Sequence, residues 1–527
     1  MSWLRKFLLK WVIRHFKVPR DVFRFAWKRY ADRTALISPA GTLTYTQLRS
    51  RGLQLASAWV QSGLKKGDVC YVQLLNGADL IVANIAATES GIILSGIPPH
   101  AREAFLERAI QFVTPKAILY DVACTESKDI LGRLIPDLKP ICFNQIPDSE
   151  ESLEYSKVEI HPDDIASIGF TSGTTGAPKV LSALHGTYIT SLRLMIDNVE
   201  LKPQTTPDKA LIGIPVAGAG SGLVLPTLLS GGTIIIPAAY SADEFLKLIP
   251  AYQVTRVFTT PSLLIDLLDH PALDSTDISS LRNIIYGTEL MPAAKLEQAL
   301  RRFGPILQQG YGSAEVLPPV SMLQPHEHMQ GRQLAPRSVL SSVGRVVPQV
   351  RVMIADEDDQ SLPQGQIGNI LIKSPTQFLG YLKQPELNEK ILRGGWLHIG
   401  DIGYFDDDGF LHVLGRKPDL IDRHGHITYP RQVEEVLHDH PAVKEVTFVQ
   451  VGSQGVMAVS LRQQWRHKLL DSMLGDELKR FLATRIPQSD MPDSIVIFEE
   501  LPRSPLAKVL RREVRQLLTD QFSGGAS

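Results

Sequence analysis

The chain has 527 residues, with 55 Lys and Arg against 56 Asp and Glu, and 44% of its residues are hydrophobic. That length exceeds what one core can fill, so two or three domains are expected, and a formal charge of -1 excludes the global basic excess of a nucleic-acid binder. Three scattered cysteines, Cys70, Cys124 and Cys142, exclude a disulfide framework or a structural zinc site and point to a reducing, cytoplasmic setting.

Residues 1–24 read as a basic amphipathic helix. Leu4, Phe7, Leu8 and Trp11 share one face, and Lys6, Lys10, Arg14 and Lys17 the other. Charge interrupts the apolar residues too often for a secretory signal. Two readings stay open: a helix packed on its own protein, or peripheral contact with a membrane surface.

The region 25–415 alternates strand and helix patterns. Thr44–Leu48 reads as a turn leading into a helix, Val69–Leu74 as a strand, Asp79–Thr88 as a helix, and Ala117–Tyr120 and Ile234–Ile236 as short strands. Such alternation implies parallel sheets covered by helices. No charge occurs from Ala210 to Ala242, but Pro215, Pro226, Pro237 and six glycines break that run into a strand, a helix and a second strand rather than a membrane span. Near Gly415 the character changes. The charged stretch Gly415–Asp419 reads as a linker, with 416–419 as hinge, and 420–527 as a separate small domain. Its expected order is short strand, helix (Arg431–His438), strands (Val443–Val451, Val456–Leu461), helix (Lys468–Arg485), strand (Ser494–Phe498), and a last helix carrying Leu510, Val514, Leu517 and Leu518. The fold class expected is α/β: a large N-terminal domain of parallel-rich sheets covered by helices, plus a small α+β C-terminal domain.

Chemistry concentrates in five places. After the apolar run Ile165–Phe170 comes Thr171-Ser-Gly-Thr-Thr-Gly-Ala-Pro-Lys179, a loop rich in glycine and hydroxyls that ends in a lysine. Glycines let backbone N–H groups approach an anion, so this reads as a phosphate cradle, although it does not fit the G-x-x-x-x-G-K-[ST] pattern. Tyr286-Gly-Thr-Glu-Leu290 is a second loop, and Gln309-Gly-Tyr-Gly-Ser-Ala-Glu315 joins a flat ring, a free backbone and a carboxylate able to hold a hard cation. Asp401 and Arg416 are a bidentate acceptor and donor suited to ribose or phosphate oxygens. Finally, Leu501-Pro-Arg-Ser-Pro-Leu-Ala-Lys508 places a lysine near the C-terminus.

In this order the motifs resemble the adenylate-forming superfamily (acyl- and aryl-CoA synthetases, luciferases, peptide-synthetase adenylation domains), closest in type to fatty acyl-CoA synthetases, from about Phe25 to Leu518. His185, six residues after Lys179, Ser342–Pro348 and Tyr429-Pro430 also fall where that family has them. The resemblance implies ATP and Mg²⁺ as cofactors and CoA as co-substrate. It makes Lys508, Thr171 and Glu315 catalytic, with Glu315 on the metal. The nucleotide would be held by Thr171, Ser172, Gly173, Thr174, Thr175, Gly176, Lys179, Gly287, Thr288, Glu289, Gln309, Gly310, Tyr311, Gly312, Ser313, Asp401, Arg416 and Lys508. The acyl pocket would be lined by His185, Val216, Ala217, Gly218, Gly287 and Gly312, and Pro418 would be the hinge residue.

The chain departs from the family pattern at Ala314 (Thr), Ala507 (Gly), Val180 (Gly) and Pro418 (Asp or Lys). Proline fixes φ and biases Lys417 toward extended backbone, so domain rotation and the second half-reaction are expected to be restricted. The stretch Ile214–Ala219 holds no acid, which excludes an α-amino acid whose ammonium would be buried unpaired. The expected reaction is ATP-dependent activation of a medium- or long-chain fatty acid to acyl-AMP, then transfer to CoA. Aryl acids come second as substrate. Loading of a phosphopantetheine carrier protein, closure of a β-lactone, and a non-catalytic nucleotide- or acyl-binding relative are the alternatives.

Overall fold

The computed structural model describes residues 9–75, 77–146, 158–171, 179–199, 207–423, 425–466, 471–504 and 508–524. Ser172, Gly173, Thr174, Thr175, Gly176 and Ala507 lie outside the described residues, as do Leu4, Lys6, Phe7 and Leu8; of Thr171 only the backbone is described.

Two parallel-rich sheets form most of the large domain. The first has nine strands, ordered from one edge as Arg345–Val346, Val316–Leu323, Leu307–Ser313, Asn283–Gly287, Arg256–Thr259, Lys209–Ile212, Thr233–Ile235, Thr34–Ser38 and Gly41–Thr44. Its inner six strands are parallel, and their short, buried, β-branched runs suit a sheet covered on both faces. The second has six strands, Lys139–Cys142, Ala117–Tyr120, Val69–Gln73, Ile93–Gly96, Ile165–Thr171 and Lys179–Leu184, antiparallel only in the last pair.

The helix Gly77–Ser90 is largely apolar and buried on most of its surface because it is a central element. It meets the helix Tyr45–Gln61 so closely that a Cβ on Gly52 would lie 2.4 Å from Ile85 Cγ2. Tyr45–Gln61 is itself started by a reciprocal cap: Gln47 N–H donates to Thr44 Oγ1 at 3.2 Å and Thr44 N–H to Gln47 Oε1 at 2.9 Å. The charge-free segment folds as strand Lys209–Ile212, a 3-10 turn, helix Val224–Leu229 and strand Thr233–Ile235. Among the described residues no helix is long and apolar enough to cross a membrane.

Four details differ from the sequence reading. A third sheet, Arg351–Ala355, Gly368–Lys373, Trp396–Phe405, Leu392–Arg393 and Leu411–Arg416, is wholly antiparallel. Near the N-terminus a second helix, Pro19–Tyr30, runs across residue 24, started by Pro19 and by the Asp21 carboxylate accepting from the Lys17 and Val18 N–H groups. The face that packs is Leu9, Ile13 and Phe16, set against Ile189, Leu192 and Ile196, while Trp11 is 56% exposed. Lys10 is drawn onto Asp197 (2.8 Å), and the Arg193 guanidinium caps the carbonyl of Phe16 (2.7 Å). Fourth, the final helix starts only at Arg511, so Leu510 precedes it; Val514 and Leu518 are buried, but Leu517 points outward.

The C-terminal region folds as a hairpin, Ile421–Arg423 and His426–Thr428, and a three-stranded sheet, Val443–Val451, Gln454–Leu461 and Ser494–Phe498, with helices Pro430–Leu437, Asp471–Ala483 and Arg511–Gly524.

Candidate active site

The carboxyl ends of the parallel strands carry the candidate residues, the usual place for a ligand in such sheets. Gly287 and Gly310 are register partners on neighbouring strands. They touch so closely that a Cβ on Gly287 would lie 2.6 Å from the Gly310 carbonyl oxygen. Immediately after, Thr288 adopts φ +73°, a conformation that favours glycine and that a β-branched residue rarely takes. Gly312 is likewise wedged against Pro318.

Three clusters form around this edge. In the first, the Tyr311 hydroxyl donates to Asp401 Oδ2 at 2.6 Å and Arg416 Nε donates to Asp401 Oδ1 at 3.3 Å. Asp401 and Arg416 are register partners on antiparallel strands, which fixes their approach. Burial raises the Asp401 carboxyl above its ordinary value, and the Arg416 charge opposes this. In the second, Glu315 accepts the Tyr381 hydroxyl at 2.8 Å, and the Lys179 ammonium stands 5.3 Å from the centre of the Tyr381 ring. In the third, Lys508 Nζ donates to the Thr288 carbonyl at 3.5 Å. The adjoining Glu289 carboxylate takes the Ser262 hydroxyl at 3.0 Å. Burial pushes Glu289 up to about 7, with Lys508 the strongest influence the other way.

Lys508 reaches this loop because the small domain is docked on the large one. The Arg431 guanidinium donates to the Met291 carbonyl (2.6 Å), and Glu435 accepts from Ala293 N–H at the start of helix Ala293–Phe303. The buried Lys295 ammonium donates to the Val443 carbonyl (3.0 Å), and Asp266 pairs with Lys444 (2.8 Å) and Arg503 (3.4 Å). At the expected hinge Lys417–Asp419 form one turn of 3-10 helix, closed by Leu420 N–H on the Lys417 carbonyl (3.4 Å). Lys417 is therefore not extended as the following proline suggested; its ammonium pairs with Glu357 at 2.5 Å.

Gln309 is buried and lies within reach of the Tyr286 hydroxyl (3.4 Å), and Ser313 Oγ accepts from Glu315 N–H (3.2 Å). Of the expected acyl-pocket residues, Val216 is buried against Gly77, whereas Ala217 and Gly218 are exposed on the turn that follows strand Lys209–Ile212. His185 is not brought to this edge. Thr171 pairs with Lys179 and Ile165 with Leu184, so the strand carries His185 to the far end of the hairpin, about 20 Å along the chain from Lys179. There it is buried, with Asp164, Arg20 and Lys66 as its charged surroundings, and burial pushes its imidazole down to about 4. Sequence reasoning missed Tyr381; its only signal was an aromatic residue after Gly380, at the end of the run Phe378-Leu-Gly-Tyr.

Glu315 meets what a magnesium ion asks of a protein. Its carboxylate is held by one oxygen, and Mg²⁺ is commonly bound by one or two carboxylates plus substrate phosphates. Among the described residues no three acidic, His or Cys side chains gather into a full metal cage.

A family model described as "AMP-binding enzyme" matches residues 23–382. The chain is 29% identical to a medium/long-chain-fatty-acid–CoA ligase, FadD8, of Mycobacterium tuberculosis, over 93% of this chain and 88% of that one. It is 28% identical to a long-chain-fatty-acid–CoA ligase of Escherichia coli, over 94% and 93%. Among solved structures, the amide bond synthetase McbA from Marinactinospora thermotolerans is 28% identical with a TM-score of 0.82, covering 95% of this chain and all of that one. The anthranilate CoA ligase AuaEII, with anthranoyl-AMP, shares the fold at a TM-score of 0.85 and 22% identity, over 96% and 98%. With the family model spanning well over half its length, this chain belongs to the AMP-binding enzymes, the adenylate-forming superfamily.

Proposed function

We propose that this protein is an AMP-forming acid–thiol ligase that activates a medium- or long-chain fatty acid with ATP and passes the acyl group to CoA. The observation that carries the reading is Lys508 on the Thr288 carbonyl, beside the strand ends that bear Tyr311 and Glu315. An acid carboxylate oxygen attacks the α-phosphorus of ATP, the bond to pyrophosphate breaks, and acyl-AMP forms. Negative charge on the non-bridging oxygens is met by Lys508, the kind of fixed charge that dominates phosphoryl chemistry. Asp401 and Arg416 grip the ribose, Tyr311 stands by the adenine, and Lys179 with the loop from Thr171 faces the phosphates. Glu315 would hold magnesium, which supplies charge neutralisation at the phosphates when bound. The thiol of CoA then attacks the acyl carbon and AMP leaves.

Relatives named for medium- and long-chain fatty acids support the alkyl substrate, as do the small residues Ala217 and Gly218 on the turn after strand Lys209–Ile212. A second acceptor is favoured by one observation, the proline-containing turn Lys417–Asp419 at the expected hinge. Transfer to a carrier protein, β-lactone closure or, as the name of McbA suggests, an amine would then replace CoA. Exposed Trp11, with Lys10 and Arg14 beside it, supports peripheral contact with a membrane surface.

The test is a panel of carboxylic acids with ATP and Mg²⁺, reading pyrophosphate release and the mass of each acyl product. Thioester with CoA is expected. Acyl-AMP without thioester redirects the acceptor, and no pyrophosphate with any acid leaves a binding-only protein. Lys508→Ala should lower adenylation about 100-fold or more; near-normal adenylation would remove Lys508 from the mechanism.

A further inference from the structure

Tyr381 belongs to a short segment stitched across the two elements that carry the phosphate-side charges. Leu382 N–H donates to the Val180 carbonyl at 2.7 Å, and Tyr381 faces Leu181 in an isolated antiparallel bridge. At the other end, Phe378 N–H donates to the Glu315 carbonyl at 2.9 Å. The Asn388 side chain brackets the tyrosine backbone: its Oδ1 accepts from Tyr381 N–H at 2.6 Å and its Nδ2 donates to the Tyr381 carbonyl at 2.8 Å. Gly380 makes room for that bracket with φ +126°, since a Cβ there would stand 2.8 Å from Asn388 Oδ1. The ring is 2% exposed and has Phe378 at its edge, with centroids 5.0 Å apart. Every part of this residue is fixed.

Its two functional contacts go to opposite charges. The hydroxyl is spent on Glu315 and the ring face on Lys179. Both charges are thereby tied to one rigid side chain, and Arg416 is a further charge near the same hydroxyl. The aromatic face attracts the ammonium without neutralising it, and the hydroxyl orients one carboxylate oxygen while leaving the other open. We propose that Tyr381 is a positioning residue that holds Lys179 and Glu315 apart and aims them, so that one meets the polyphosphate and the other its divalent cation. This rests on the reading that Lys179 faces the phosphates and Glu315 the metal.

The test uses the full-length protein with Tyr381→Phe, which keeps the ring and removes the hydroxyl, and Tyr381→Leu, which removes both. Calorimetric binding of ATP with and without Mg²⁺ is read beside the Mg²⁺ dependence of pyrophosphate release. Losing one hydrogen bond to a charged group corresponds to about tenfold or more, so Tyr381→Phe should raise the Mg²⁺ needed for half-maximal rate about tenfold and weaken Mg·ATP binding to match. Its metal-free ATP affinity should stay unchanged. Tyr381→Leu should weaken metal-free ATP as well, through Lys179. If Tyr381→Leu does not fold, Tyr381→Phe decides alone. A Tyr381→Phe protein with normal Mg²⁺ dependence, or one losing kcat and thermal stability with no change in metal response, overturns the proposal. Glu315→Gln separates the two levels: if it too leaves the Mg²⁺ dependence unchanged, the metal reading itself falls.

Discussion

Glu289 offers the sharpest electrostatic test of the docked arrangement. Ser262 donates to it from helix Pro261–Asp269; strand Val443–Val451 contributes Glu445, and the C-terminal segment Arg503 and Lys508. Burial is the largest influence and takes the carboxyl from 4.5 to about 7. The sign follows directly. Between those values the folded protein keeps a proton that the unfolded chain has lost, so this group's contribution to stability declines as pH rises from about 4.5 to about 7. The whole decline is about 3 kcal/mol. Glutamine in its place accepts the same hydroxyl and cannot ionise. In urea unfolding, Glu289→Gln should therefore gain on the parent protein between pH 5 and pH 8, by up to about 3 kcal/mol. An unchanged gap between variant and parent at the two pH values refutes the reasoning.

Three further outcomes follow from other parts of the molecule. Gly287→Ala puts a methyl 2.6 Å from the Gly310 carbonyl oxygen, a backbone contact that cannot rotate away; a loss of about 1–3 kcal/mol is expected, and a melting temperature equal to the parent's would count against that packing. Pro418→Asp should speed acyl transfer in single-turnover assays while leaving adenylation unchanged, and the hinge idea is dropped if neither rate moves. Trp11→Glu should weaken co-sedimentation with anionic vesicles without altering adenylation in solution. Equal sedimentation of the two proteins would remove the N-terminal helix from any membrane contact.

The parallel sheets were legible because runs such as Val69–Leu74 and Ala117–Tyr120 are short, apolar and separated by helical patterns. The antiparallel sheet was not, since Trp396–Phe405 mixes buried and half-buried positions, and its partners are set by register rather than composition. Tyr311, Glu315, Asp401, Arg416 and Lys508 were singled out by residue type and order, and of these Tyr311, Asp401 and Arg416 come together in one cluster. Tyr381 could not, because a tyrosine beside glycine looks like core, and its partners lie 66 residues before it at Glu315 and further still at Lys179. His185 illustrates the opposite failure: a spacing of six along a strand says how far the chain travels but not away from what. At the N-terminus the sequence holds two apolar stripes, and only packing against Ile189, Leu192 and Ile196 selects Leu9, Ile13 and Phe16.

Arg416 ends the strand Leu411–Arg416, and Lys417 begins the turn that follows. The side chain proposed for the ribose therefore hangs from the peptide unit next to the expected hinge. Only Lys417 lies between that grip and Pro418. If 416–419 is the pivot, a nucleotide held by Asp401 and Arg416 would act as a load on that bearing, and turning the bearing would shift the load. Release of AMP and reorientation of the small domain would then be one mechanical event rather than two signals in sequence. Any change within 417–419 should be felt as altered nucleotide retention as well as altered motion.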